Sequence, residues 1–197
     1  MKSVVLMMVY AVVLMFGGYI AFSLAPAGSS KLTAILVPFI AAGLMVVAAV
    51  LVSRAKKNAG LARIGVLLGV ALPILFGAAF AQRALKSSAA SADFRSDRVA
   101  FDELVKNGEQ EGTIEGLRSF RQFQLYQVKY DTPEKAAETP FDDFKNTRAG
   151  KKVKTYDTAY LAAVLWGLCG SSLLALVAIA STKPTIESQP DEATNEE

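Results

Sequence analysis

The feature that most constrains the fold is an apolar run between two arginines, Arg63 and Arg83. Its sequence, IGVLLGVALPILFGAAFAQ, is about the length that a helix needs to cross the hydrocarbon core of a bilayer. A short basic loop precedes the run, and the largest polar segment of the chain follows it. We therefore interpret this run as the third of four membrane-spanning helices.

Hydrophobic residues make up 52% of the 197 residues, and they are concentrated in blocks. There is no Asp or Glu from Met1 to Ala92, whereas residues 93–143 are densely charged with both signs. This division is typical of a multi-pass membrane protein and does not indicate nucleic-acid binding, because the formal charge of +3 averages unlike regions. The other predicted spans are Val4–Leu24, Leu32–Val52 and Ala159–Ala180.

The first run, Val4–Leu24, has two interpretations. Ala25-Pro26-Ala27 resembles the cleavage site of a signal peptide, which would be removed from the mature protein. The run is longer than the roughly 7 to 15 apolar residues of a signal peptide, however, so we favour an uncleaved first helix.

The predicted fold class is an all-α membrane bundle of four transmembrane helices, with a small α+β extramembrane insert between helices three and four. The predicted boundaries are 1–86 for the three-helix region, 87–155 for the insert, 156–182 for the fourth helix and 183–197 for a disordered acidic tail. An insert of about 60 residues is marginal for an independent core, so we expect it to lean on the membrane helices or on a partner.

Within the insert, Val99–Val105 predicts a short helix that begins after Ser96 or Asp97 and stops at Asn107-Gly108. The β-branched and aromatic residues of Thr113–Tyr130 predict one or two strands. Two further helix starts, each with a hydroxyl residue before proline, are predicted at Thr132-Pro133 and Thr139-Pro140.

Small residues recur at every fourth position in the predicted spans, which would let a partner helix approach closely. In the third run they form one stripe that also includes Pro73 and Ala81. The stripes of the third and fourth runs allow a direct contact between these two helices. The predicted helix-packing residues are Gly17, Gly18, Gly65, Gly69, Gly77, Ala163, Gly167 and Ser171.

The orientation follows from the basic loop between helices two and three, which contains Arg54, Lys56, Lys57 and Arg63. Short basic loops stay in the cytoplasm, so both termini are predicted to be cytoplasmic and residues 87–155 extracytoplasmic. Basic residues also flank the insert, but the positive-inside rule discounts loops longer than about 60 residues.

No group of residues in the sequence predicts catalysis or metal binding. The chain has no histidine and one cysteine, Cys169, which lies in an apolar run. The acidic pairs Asp102-Glu103 and Asp142-Asp143 are adjacent, so their side chains would point apart on a helix. We therefore expect a non-enzymatic protein without a cofactor.

The first half of the chain resembles the transmembrane protein 14 family. The resemblance rests on Gly17-Gly18-Tyr19-Ile20, Ala27-Gly28-Ser29 and the segment from Gly77 to Lys86. That family includes mitochondrial proteins linked to porphyrin handling and plastid fatty acid exporters. The resemblance implies movement of an amphipathic molecule across the membrane, although the insert at 87–155 departs from the short loop usual in the family.

Two functions follow as expectations. The first is facilitated passage of an amphipathic ligand such as a fatty acid or a porphyrin. The second is an accessory or assembly subunit of a larger membrane complex, in which the chain contacts membrane protein partners or further copies of itself. For the second function, the insert's predicted docking residues are Phe120, Phe123, Tyr126 and Tyr130. An apolar cavity between the helices would favour the first function, and an exposed aromatic patch on the insert with tightly packed helices would favour the second.

Overall fold

The computed structural model of the chain describes residues 2–26, 31–54 and 59–182. The helices of these residues are α1 Lys2–Ser23, α2 Lys31–Ser53, α3 Ala59–Lys106, α4 Ile114–Lys129, α5 Pro133–Glu138, α6 Phe141–Asn146, α7 Arg148–Lys151 and α8 Ala159–Ser181. By length and composition, α1, α2, α3 and α8 can each cross a membrane. This confirms the predicted number of candidate membrane-spanning helices.

Some of the predictions made from the sequence concern residues outside these three ranges. The acidic tail at 183–197, the turn with Gly28 and Ser29, and the lysines at 56 and 57 lie outside the described residues.

The prediction of an α+β insert is wrong, because residues 2–26, 31–54 and 59–182 contain no strand. The segment predicted as strands is helix α4, whose N-cap Thr113 accepts a hydrogen bond from the Gly116 backbone N–H at 3.0 Å. Glu115 in the first turn and Lys129 in the last turn favour the helix dipole. The aromatic residues of this segment recur three or four positions apart, which is helical spacing and does not fit the period of two that a strand requires.

Helix α3 is also longer than predicted. It continues through the Ser/Ala-rich connector to Lys106, so Val99–Val105 is its last part and not a separate helix. It ends at the predicted stop: Gly108 has φ 74°, its N–H bonds the Val105 carbonyl, and the Glu109 N–H bonds the Leu104 carbonyl. These two bonds and the left-handed glycine form a Schellman motif.

The chain divides into two compact units. Unit 1 comprises residues 1–84 and 160–197, and unit 2 comprises residues 85–159. The predicted insert, 87–155, falls within unit 2. Helix α3 contributes its first part to unit 1 and its last part to unit 2. A helix of this length, roughly 70 Å, exceeds the thickness of a hydrocarbon core.

In unit 1, the start of α1 meets the end of α8. The Ser3 and Thr182 hydroxyl oxygens are 2.7 Å apart, and Thr182 donates its proton to the Ile179 carbonyl, so Ser3 is the donor of the pair. The two helices are therefore antiparallel, with the start of α1 and the end of α8 at the same end of unit 1. The side of the membrane on which they lie stays a prediction.

In unit 2, α4 runs back along α3. Phe120 packs on Phe101 with ring centroids 5.7 Å apart, and Arg121 forms an ion pair with Asp97 at 2.8 Å. As the residue number rises along α4, the residue that it contacts on α3 has a lower number, so the two helices run in opposite directions. Phe101, Leu117 and Phe144 are buried and form the apolar interior of this unit.

Candidate functional site

The glycine stripe of α3 lies against three different helices of unit 1. A Cβ at Gly65 would lie 2.8 Å from the Leu51 Cβ and 2.8 Å from the Val52 backbone nitrogen, both on α2. Gly69 lies against the side chain of Met7 on α1. A Cβ at Gly77 would lie 3.3 Å from the Ser172 Cβ on α8. Three glycines of the same stripe thus contact α2, α1 and α8 in turn.

The glycine pair of α1 divides its contacts between two helices. A Cβ at Gly17 would lie 2.5 Å from the Leu168 Cδ2 on α8. At Gly18 it would lie 2.9 Å from the ring of Pro38 on α2. Both glycines are buried. Side chains of neighbouring helices therefore fill the space that larger residues here would occupy.

The small-residue stripe of α8 is placed differently. Ala163 and Gly167 are exposed, and no heavy atom of the described residues lies within 4 Å of a Cβ at Gly167. Ser171 is half-buried and donates to the Leu168 carbonyl of its own helix at 2.9 Å. The residue of α8 that meets Gly77 is Ser172, one position beyond the predicted stripe. No described helix covers the Ala163 and Gly167 face.

A buried polar pair joins α1 to α8 beside Gly77. The Tyr10 hydroxyl lies 2.6 Å from the Ser172 Oγ, and Ser172 donates to the Leu168 carbonyl at 2.7 Å. A serine hydroxyl has a single proton, so Tyr10 must donate to Ser172. Both residues are almost fully buried, at 3% and 0% exposure. Their pairing was not predicted from the sequence, where the two residues lie in separate apolar runs.

This proton arrangement predicts unequal effects of two substitutions. Ser172→Ala leaves the Tyr10 hydroxyl buried without an acceptor and should destabilise the protein by about 1–3 kcal/mol. Tyr10→Phe leaves Ser172 bonded to Leu168 and should cost about 0.6 kcal/mol, the mean for hydrogen bonds in membrane proteins. Thermal unfolding in detergent measures both, and the double variant should be no less stable than Ser172→Ala alone. A larger loss for Tyr10→Phe would contradict the assigned donor.

Most of the predicted docking residues are partly buried by contacts within unit 2. Tyr126 packs on Tyr130, Phe141 and Phe144 with centroid distances of 4.9, 5.4 and 5.6 Å. The Tyr126 hydroxyl oxygen also lies 3.2 Å from the Ala136 carbonyl and 3.0 Å from the Thr139 carbonyl, which share its single proton. These contacts hold α5 and α6 against α4, so the side chain has a structural role.

The two remaining aromatic residues differ from each other. Phe120 is half-buried against Phe101. Phe123 is 42% exposed, although its edge contacts Phe141 at a centroid distance of 5.4 Å. Of the predicted docking residues, Phe123 alone is classed as exposed.

The segment before α8 is fixed to α3 by a polar cluster that was not predicted from the sequence. Asp157 accepts hydrogen bonds from the Ser91 Oγ at 2.5 Å, the Arg95 Nε at 2.8 Å and the Ala159 backbone N–H at 2.8 Å. Thr158 and Ser87 exchange hydrogen bonds, each hydroxyl donating to the other's carbonyl. Ser87, Ser91 and Arg95 recur every fourth position, and this spacing was the available sequence signal.

Two opposing effects act on the Asp157 carboxyl. Desolvation raises its pKa, but the hydrogen bonds from Ser91, Arg95 and the Ala159 backbone, with the Arg95 charge, outweigh desolvation. The pKa of Asp157 therefore lies below its ordinary value of 3.8.

The lowered pKa of Asp157 predicts a pH dependence for unit 2. The carboxylate contributes fully above the unfolded-state pKa of about 3.9, and its contribution is lost as the pH falls through the lower folded-state pKa. Asp157→Asn should therefore cost about 1 kcal/mol at neutral pH, and its difference from wild type should shrink below about pH 4. Thermal unfolding as a function of pH measures this, and a pH-independent difference would contradict it.

Two of the four acidic residues considered for chemistry form ion pairs with nearby cations. Asp102 pairs with Arg98 at 3.0 Å, and Asp142 pairs with Lys145 at 2.9 Å. Within residues 2–26, 31–54 and 59–182, no three His, Cys, Asp or Glu residues are placed to hold a metal ion. These arrangements support helix ends and surface structure and converge on no reacting atom.

The described residues thus form four helices that can each cross a membrane by length and composition, with a helical unit between the third and the fourth. Comparisons with protein families, curated proteins and solved structures find no match for this chain. The resemblance to the transmembrane protein 14 family thus stays a prediction.

Proposed function

We propose that the chain is a non-catalytic accessory or assembly subunit of a membrane protein complex, with unit 1 as its anchor and unit 2 as its docking module. The observation that carries this proposal is the close packing along α3, where Gly65, Gly69 and Gly77 lie directly against neighbouring helices. Those neighbours leave no room for a ligand at these positions of α3. Passage of a fatty acid or porphyrin is therefore the less favoured function.

The docking surface proposed for unit 2 is one face of α4, which differs from the aromatic residues predicted from sequence. Ile114, Leu125 and Val128 are 70%, 40% and 79% exposed. Their spacing of eleven and three residues places them on one face of the helix. Exposed apolar side chains grouped on one face of a helix are typical of surfaces that bind another helix.

Charge indicates what this face binds. Arg118 lies on the same face, is exposed, and belongs to none of the ion pairs formed by the described residues. The proposed partner is therefore a protein surface with apolar side chains and an acidic residue opposite Arg118.

The test is gentle detergent extraction of the full chain from its own membranes, followed by sizing and mass spectrometry. Wild type should carry a protein partner in fixed stoichiometry, and both Leu125→Gln/Val128→Gln and Arg118→Glu should lose it. Val99→Gln is the matched control, because Val99 is equally apolar and exposed but lies on α3. Recovery of a monomer with an enriched lipid or tetrapyrrole would overturn the proposal and favour ligand passage.

A further inference from the structure

The segment that leads into α8, residues 148–158, is strongly basic. It contains one acidic residue, Asp157, whose carboxylate is already bonded to Ser91 and Arg95. Its exposed cations are Arg148, Lys151, Lys152 and Lys154. We call residues 148–158 the lead-in segment.

These cations are not neutralised within the part of the chain that the structure describes. Its ion pairs are Arg95–Asp157, Arg98–Asp102, Arg121–Asp97, Lys135–Asp131 and Lys145–Asp142. None of them uses a basic residue of the lead-in segment. The local excess of positive charge is therefore available to an external anion.

The lead-in segment approaches the start of a membrane-spanning helix. Lys154 is separated from Ala159, the first residue of α8, by a stretch of chain that spans at most about 18 Å. Its ammonium lies over the Tyr156 ring, 5.8 Å from the centroid and two residues closer to α8. The ammonium of Lys154 therefore lies beside an aromatic ring that is nearer to α8 in the chain.

Helix α3 places another cation at the same boundary. Lys86 is exposed and immediately precedes Ser87, which exchanges hydrogen bonds with Thr158 at the end of the lead-in segment. Lys86 likewise takes part in no ion pair of the described residues. Two chain segments therefore bring unpaired cations to the point where α8 begins.

We propose that the lead-in segment, with Lys86, binds the phosphate headgroups of anionic phospholipids. Polybasic segments beside membrane helices are attracted to anionic lipid surfaces, and tyrosine rings are favoured at the same depth. The required chemistry is a phosphate or phosphodiester anion, and the position next to α8 selects a lipid as its source. This binding does not depend on the proposed docking of α4.

The test is native mass spectrometry of the purified full chain in detergent, titrated with phosphatidylglycerol or phosphatidylcholine. Phosphatidylglycerol should bind more tightly than phosphatidylcholine, and added salt should weaken its binding. Lys152→Gln/Lys154→Gln should weaken phosphatidylglycerol binding by about 25-fold, since each lysine near an anionic surface contributes on the order of a fivefold gain.

The matched control is Arg98→Gln/Lys106→Gln, which removes the same charge from two exposed cations of α3 that lie outside the lead-in segment. It should bind phosphatidylglycerol as wild type does. Equal weakening in the control, or equal affinity for the two lipids, would overturn the proposal. Displacement of the lipid by an equal concentration of inorganic phosphate would also overturn it, because the anion would then be free phosphate.

Discussion

Replacing Gly65 with leucine is expected to disrupt the packing of α3 against α2 in unit 1. A Cβ at this position would lie 2.8 Å from the Val52 backbone nitrogen and 2.8 Å from the Leu51 Cβ, and neither atom can move without shifting α2. We expect a loss of about 3 kcal/mol, the upper part of the usual range for overpacking. Thermal unfolding of the detergent-solubilised protein measures the effect.

Gly43→Leu is the matched control for this substitution. Gly43 lies in α2, is exposed, and has no described heavy atom within 4 Å of the position that an added Cβ would take. Leucine favours helix over glycine, so this variant should be as stable as wild type or more stable. Equal melting temperatures for the two variants would show that the contact between α2 and α3 is looser than described.

The second large effect is expected for Gly150→Ala in unit 2. A Cβ at Gly150 would meet the Phe144 carbonyl and lie 2.9 Å from both the Lys145 Cα and the Lys145 carbonyl oxygen, all of them backbone atoms of α6. The Gly150 carbonyl also accepts a hydrogen bond from the buried Gln122 Nε2 at 3.0 Å. Moving α7 away from α6 would break that bond, so we expect a loss of about 2–3 kcal/mol.

Limited proteolysis of the full chain, with cleavage sites mapped within residues 131–155, measures this loss locally. Gly112→Ala is the control, because the nearest atom to its added methyl is the Val105 Cγ1 at 3.3 Å, the end of a side chain. The Gly150 variant should be cleaved faster than the control. Cleavage at the same rate would contradict the close contact of α6 with α7.

The sequence predicted the four helices that are long and apolar enough to cross a membrane, because a long apolar run has one stable form in a bilayer. It failed at α4, where residues of high strand propensity, such as Val128 and Tyr130, suggested a sheet. Tertiary contacts decided the outcome there: Phe120 packs on α3, and Tyr126 packs on α6. Strand propensity is a weak indicator when the same residues also fit a helical period.

The small-residue stripes show a second limit of prediction from sequence, which concerns contacts between helices. Gly65 and Gly69 have the same spacing as Ala163 and Gly167, yet the first pair is buried and the second is exposed. Spacing is a property of one helix, whereas burial depends on which other helix lies opposite. The Asp157 cluster was missed for a related reason, since its partners Ser91 and Arg95 are more than sixty residues away in the chain.

The reciprocal hydrogen bonds of Ser87 and Thr158 join the two ends of unit 2. A domain whose first and last residues are neighbours can be inserted into a host protein, or removed from it, without separating the flanking segments. A short loop in place of residues 88–157 could therefore connect α3 directly to α8. Unit 2 therefore has the geometry of an insertable domain.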